Sequence, residues 1–400
     1  MLMQDTREPR LMAPQRALMA AEFPVFSAAE MQRRREVLGE IMARAGANHV
    51  LLSGGDRKGS AIQWLTGWPP GGGHFVVFTP GEQDALWVKN PNNAPLARIM
   101  APEARVSWGP EGSLALTIAE LLRRGAKGQG VGIIGSYGHA LHEKLTDAGL
   151  KPIDLGRAYN RERLVKSPEE LDWLRVGCAL TDLAVEALGR EAKPGMTEHG
   201  LADVIERAYV RFGGMTQIHY TGVTAMADPD CCVPRQLPLN RVVRAGDVIF
   251  TEISVSFWSY PGQVQRSFTV AAEPTPLYRD LYACAEEAFD GILKVLKPGA
   301  RPDDILAVAS SIAAAGFTIC DDLVHGYGGG GYLPPVLGTR ERPSGPVPDF
   351  TFAENMMLVV QPSVMTKDGK AGLQCGEMVR ITADGIERMH HAPWGFRRIG

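Results

Sequence analysis

The sequence predicts an α/β protein of two domains, the second built on an internal duplication. Its 400 residues exceed the span that one hydrophobic core usually serves. Short apolar runs alternate with helical stretches over the first part of the chain, as strands and helices do in an α/β domain. A helix, a Lys-Pro-Gly turn, a second helix and strand-like sequence then occur in that order twice. The composition agrees, because 45% hydrophobic and 22% charged residues belong to an ordinary folded chain. A net charge of −3 is too small to point to nucleic acid or an acidic membrane as partner. No apolar run approaches the roughly 18 residues that span a bilayer.

Taken in order, residues 1–22 mix Met and Ala with Asp5, Arg7, Glu8, Arg10 and Arg16. That mixture lacks the continuous apolar core of a secretory signal and reads as a flexible arm. The first domain is expected over 23–160. Ser27 and Glu30 form a capping box ahead of a helix over 31–42. Strand-like runs follow at 49–52, 74–78, 85–88 and 131–134, with a helix near 114–124. Gly71-Gly72-Gly73 lacks the Lys and Ser/Thr that a phosphate cradle needs. The second domain, 161–400, opens sharply at Ser167-Pro168-Glu169-Glu170, an N-cap, a first-turn Pro and a reciprocating Glu. Its repeats are Lys193-Pro194-Gly195 before a helix over 197–212 and Lys297-Pro298-Gly299 before a helix over 302–315. Strands are expected at 248–257 and 356–364.

The six cysteines (Cys178, Cys231, Cys232, Cys284, Cys320 and Cys375) show neither a Cys-x-x-Cys pair nor zinc spacing. Adjacent Cys231 and Cys232 are too close for ordinary disulfide geometry. A reduced, cytoplasmic protein is the expectation.

Several short motifs, in this order and spacing, resemble the pita-bread (M24-like) family of creatinase, prolidase and methionine aminopeptidase. They are Lys166-Ser167-Pro168, Leu296-Lys297-Pro298-Gly299, Gly246-Asp247-Val248-Ile249, Arg266-Ser267-Phe268, His325-Gly326-Tyr327-Gly328 and Gln361-Pro362. The resemblance covers nearly the whole chain and implies a creatinase-like N-terminal domain ahead of a pita-bread domain. It also implies a homodimer in which the N-terminal domain closes over the partner's site. Family peptidases hold two metal ions with two Asp, one His and two Glu. The corresponding positions here are Glu252, Gln263, His325, Gln361 and Gly376, with Glu377 beside the last. Glutamine is a weak neutral ligand and glycine supplies no side chain, so no metal and no other cofactor is expected.

Two members that work without metal, creatinase and ectoine hydrolase, are closest in pattern. Phe250-Thr251-Glu252-Ile253 resembles the ectoine hydrolase strand that carries a glutamate. The resemblance therefore implies a metal-independent hydrolase of a C–N bond in a small polar amidine-, guanidino- or amide-type molecule. A carboxylate among strand apolar residues is costly unless managed by neighbours, and it can act as nucleophile or base. Glu252 takes that role, His325 shuttles protons and Glu377 completes the catalytic set. His219, Gln263, Gln361, Arg266, Tyr327 and Tyr332 bind substrate, while His74 or Trp68 could line the site. Cys231, near Asp228, Asp230 and His219, is a rival nucleophile. Met356 and Met357 read as strand core. Two alternatives stand beside this reading: a metal-dependent Xaa-Pro dipeptidase or aminopeptidase, and a non-catalytic binding module of the same fold.

Overall fold

The computed structural model describes residues 7–54, 60–69, 73–109 and 113–400. Gly71 and Gly72 lie outside the described residues. The chain divides into two compact units. One is Ala21–Arg163 with Gly329–Gly331; the other holds Leu164–Gly328 and Tyr332–Gly400 together with the described residues before Ala21.

In the first unit, strands lie in the order Arg105–Trp108, Ala85–Val88, His74–Phe78, His49–Gly54, Gly130–Gly135 and Lys151–Asp154. The pairs among 49–54, 74–78 and 85–88 are antiparallel and the rest are parallel. Ser27 caps the helix Ala28–Ala45, its Oγ accepting from the Glu30 N–H at 3.1 Å. The two strands that pattern alone did not mark, Arg105–Trp108 and Lys151–Asp154, are the sheet's edges. Each exposes part of its length, so neither carries an apolar run.

The second unit is built from the duplication. Helix Pro168–Glu191 starts in a complete capping box, with Ser167 and Glu170 satisfying each other's backbone N–H. Both Lys-Pro-Gly turns place their glycine at positive φ, +94° at Gly195 and +88° at Gly299, a conformation other residues resist. Helices Glu198–Tyr209 and Pro302–Ala314 follow. The main sheet runs Gly331–Leu337, Val324–Gly328, Met357–Val360, Gly376–Ile381, Val264–Val270, Asp247–Phe257, Met215–Ala225. Its halves are mirror images in chain order: 215–225, 247–257 and 264–270 on one side answer 324–328, 357–360 and 376–381 on the other. The central junction is the antiparallel pair of Val264–Val270 with Gly376–Ile381.

Two expectations are corrected here. The run 356–364 is not one strand: it breaks at Gln361-Pro362, where proline offers no N–H to continue the ladder, and Ser363–Met365 joins a separate three-stranded sheet. The arm is not loose from residue 7 onward. It forms the helix Ala13–Ala20, and the buried Gln15 donates from Nε2 to Asp172 Oδ1 at 2.7 Å.

Helix Pro168–Glu191 packs against the hairpin after the central strand with no space between backbones. A Cβ on Gly177 would sit 2.3 Å from the Tyr260 carbonyl oxygen, and one on Gly262 would sit 2.5 Å from Cys178 Cα. We therefore expect Gly177→Ala to destabilise the protein by about 1–3 kcal/mol, the scale of an overpacked core. Thermal unfolding measures this, and an unchanged midpoint would refute the close approach.

Candidate active site

Side chains alternate between the two faces of a strand, so register decides what can meet. Glu252, at the middle of the strand Asp247–Phe257, lies opposite Gln265 on one neighbour and Tyr220 on the other. Gln265 in turn lies opposite Gly376. These residues share a face. Ile253 lies opposite Val264 and His219, and Val264 lies opposite Glu377, which puts His219 and Glu377 on the reverse face.

Glu252 is buried in a frame of amides. Gln263 Nε2 donates to Glu252 Oε1 at 2.7 Å and to Gln361 Oε1 at 3.0 Å, while Gln265 Nε2 donates to the same Gln361 oxygen at 2.8 Å. The Gln374 amide lies against Glu252 and favours its ionised form, although it closes no hydrogen bond of good geometry. Burial dominates: with Asp321 adding repulsion, the Glu252 carboxyl is pushed up to about 7. A carboxyl with that value exchanges its proton near neutrality.

His325 is fully enclosed on the same side. Its Nδ1 faces the Gly326 carbonyl at 2.9 Å, its ring stacks on Tyr332 at 4.3 Å, and Tyr327 lies 5.5 Å away. Tyr327 hydroxyl meets Ser254 Oγ at 2.8 Å, joining the strand that carries Glu252. Just before His325, Asp322 is buried and Asp321 exposed. Tyr332 hydroxyl donates to Asp322 Oδ1 at 3.3 Å. Burial first, then Asp321, push the Asp322 carboxyl up to about 8.

Several expected roles are corrected by this geometry. Glu377 is wholly buried on the reverse face, where Arg266 Nη2 binds its Oε2 at 2.6 Å and Arg388 binds its Oε1. Both guanidiniums lie over Trp394. Glu377 and Arg266 are therefore one structural ion pair, not a catalytic carboxylate and a substrate cation. His219 is turned away from Glu252: its Nε2 meets the Tyr209 hydroxyl at 2.7 Å, and burial pulls its pKa down to about 4. His325 is also pulled down to about 4 by burial, so it stays neutral and cannot carry protons as an imidazolium near pH 7. Cys231 is buried, its thiol donating to the Val233 carbonyl, and burial raises its pKa away from the reactive thiolate. His74 and Trp68 are core residues of the first unit, and Met356 and Met357 are buried strand core.

The sequence reading passed over Tyr220, Gln265, Gln374, Asp321 and Asp322. Gln265 was legible as the second of two glutamines spaced by two in an apolar strand. The adjacent acids four and three residues ahead of His325 were a signal too, since paired carboxylates next to a buried strand seldom serve packing.

A metallopeptidase family M24 model matches residues 172–383. The chain thus belongs to metallopeptidase family M24, and it has that family's mixed α/β pita-bread fold. It is 27% identical over 243 residues to methionine aminopeptidase A of Synechocystis sp., covering 55% of this chain and 94% of the relative. To the Xaa-Pro dipeptidase of Pyrococcus furiosus it is 22% identical over 365 residues, covering 90% and 98%. Among solved structures, the X-Pro aminopeptidase from Thermotoga maritima superimposes with a TM-score of 0.77 at 18% identity, over 91% of this chain and 99% of that one.

These relatives correct the expected function. A metal-independent hydrolase of a small amidine, guanidino or amide compound gives way to the alternative, because the proteins matched over nearly their full length are named aminopeptidases and dipeptidases of a metallopeptidase family. The donor set is a poor match for the metal that the family name implies. Gln263 and Gln361 offer neutral amides, and Gly376 has no room for a side chain: a Cβ there would sit 2.3 Å from the Val360 carbonyl oxygen and 2.9 Å from Gln265 Oε1. Among the described residues, no group of three or more His, Cys, Asp and Glu is placed to hold an ion. The side chains present do not fit a dinuclear centre.

Two stability predictions follow from the opposite faces. The folded value for Glu252, about 7, lies above its ordinary 4.5, so folding favours the protonated form. That contribution is complete below pH 4.5 and is lost as the pH rises through 7, on the order of 3 kcal/mol in all. Glu252→Gln is expected to unfold at a higher temperature than the native protein at pH 8 and at nearly the same temperature at pH 5. Equal differences at both pH values would refute an uncompensated carboxylate. Glu377→Gln, which leaves Arg266 buried with a weakened partner, is expected to destabilise by roughly 3 kcal/mol at either pH. A denaturant titration that shows no loss would refute the structural pair.

Proposed function

We propose that this protein hydrolyses short peptides at an amide C–N bond, the substrates for which its dipeptidase and aminopeptidase relatives are named. The observation that carries the reading is Glu252: a buried carboxyl with a value near 7, framed by glutamine amides on one face of the sheet. An ionised Glu252 takes a proton from water as the water oxygen bonds to the peptide carbonyl carbon. The Gln374 Nε2–H, without a partner of its own, is a donor for the oxygen that becomes negative. The C–N bond then breaks and the proton on Glu252 passes to the leaving nitrogen, which restores the carboxylate. His325 and Tyr327 hold the shape of the pocket in this scheme, and Gln263 and Gln361 orient the base.

The amides at former ligand positions favour one other reading, a peptide-binding module that no longer turns substrate over. Purified protein should be assayed with Ala-Pro and Met-Ala-Ser, with and without added manganese. Turnover is expected, with kcat/KM rising through about pH 7 as Glu252 ionises. Glu252→Gln should lower kcat by about 10²–10⁴-fold, the usual worth of a general base, and abolish the rising limb. Binding without turnover would favour the module, and neither binding nor turnover would overturn both.

A further inference from the structure

The first unit holds a cleft of about 530 Å³, a volume in the roughly 300–1,000 Å³ range of small-molecule sites. The opening turns of the helix Ala28–Ala45 line it with Ala28, Met31, Gln32 and Arg35, whose spacing puts them on one face. Ile99, Met100 and Pro102 line it too, at and just after the end of the helix Ala94–Met100. Gly67 lets the backbones come together there: its φ is +82°, and a Cβ would sit 2.8 Å from the Met100 carbonyl oxygen. Two lining residues, Val25 and Ile99, stay 58% and 56% exposed. Large apolar side chains left in water around a concavity mark a place for an apolar ligand.

The cleft also has a charged group that is fixed in advance. Arg35 Nη2 lies 2.8 Å from Asp84 Oδ2, and the Asp84 side chain is fully enclosed while Arg35 keeps part of its surface exposed. A buried acid behind a guanidinium holds it in place before a ligand arrives, which lowers the cost of binding. The ion pair engages one nitrogen of a group with five N–H donors. Arg124 also acts on Asp84, so Asp84 does not cancel Arg35 alone. The opposing charge on the lining is Glu103, which is exposed and therefore screened by water and salt.

We propose that this cleft binds a small monocarboxylic acid with an apolar body, its carboxylate on Arg35 and its hydrocarbon against Met31 and Ile99. The planar guanidinium fork matches the two oxygens of a carboxylate. A neutral apolar compound would cover Arg35 without giving it a partner, and an ammonium would meet a like charge. The proposal stands apart from the peptide reading, because every residue of the cleft belongs to the first unit and Glu252 to the second.

Calorimetric titration of the native protein with octanoate, octanol and octylamine tests this. Octanoate is expected to bind at least about tenfold more tightly than either of the others, the scale of one charge-assisted hydrogen bond. Arg35→Gln should remove that preference, but it also leaves Asp84 buried with a weaker partner. Ile99→Glu, at an exposed position that puts the fold at little risk, keeps the test decisive. Its carboxylate should weaken octanoate several-fold and leave the unfolding temperature nearly unchanged. No binding of octanoate, or equal affinity for the three compounds, would overturn the proposal. Octanoate binding that Ile99→Glu leaves unaltered would overturn it as well.

Discussion

The site depends on one carboxylate being buried without a cation. Glu252 and Glu377 lie on neighbouring parts of one sheet, and both are enclosed. Glu377 is met by two guanidiniums, a pairing that occupies both of its oxygens and ties strands together. Glu252 is met by amides, which tolerate either protonation state because glutamine can donate or accept. Replacing the glutamines by arginine would stabilise the ionised form and remove the proton exchange. The amide frame is what keeps the carboxyl usable near neutral pH.

The duplication explains why such a frame can be assembled at all. Folding two copies about a central antiparallel pair brings equivalent strands side by side. Glu252 comes from the second strand of the first copy, and Gln361 follows the second strand of the other copy. Gln263 immediately precedes the third strand of its copy, and Gln374 ends the short strand Gly372–Gln374, two residues before the third strand of the other. The junction therefore draws polar side chains from both copies. Pro362 sharpens the arrangement by ending its strand where Gln361 must reach the network.

Much of this was legible in the chain. Caps at Ser27 and Ser167, glycines of the Lys-Pro-Gly turns and the apolar central strand are local signals, and they place helices and strands without tertiary information. Which face each strand residue occupies is not local. Alternation groups His219 with Thr221, yet only the pairing of Tyr220 with Glu252 reveals that His219 points away. Glu377 adjoins the right glycine and fails for the same reason, one residue out of phase. Asp321 and Asp322 precede a strand, and no periodicity applies there. The edge strands of the first unit were lost because exposure removes the apolar pattern that marks a strand.

Family membership and the residues of the site constrain different things. The match over 172–383 fixes the fold and sets peptide bonds as the chemistry of the relatives. It does not fix how this chain would perform that chemistry, because three of the five positions expected to carry metal ligands hold amides, at Gln263 and Gln361, or a glycine with no space for a side chain, at Gly376. A glutamate restored at Gly376 would strike the backbone of the neighbouring strand, so the departure is built into the packing and a single substitution does not reverse it. Of the two ionisable side chains left at those positions, burial keeps His325 neutral and brings only the Glu252 carboxyl to a value near neutrality, which is why the proposed hydrolysis is centred on Glu252.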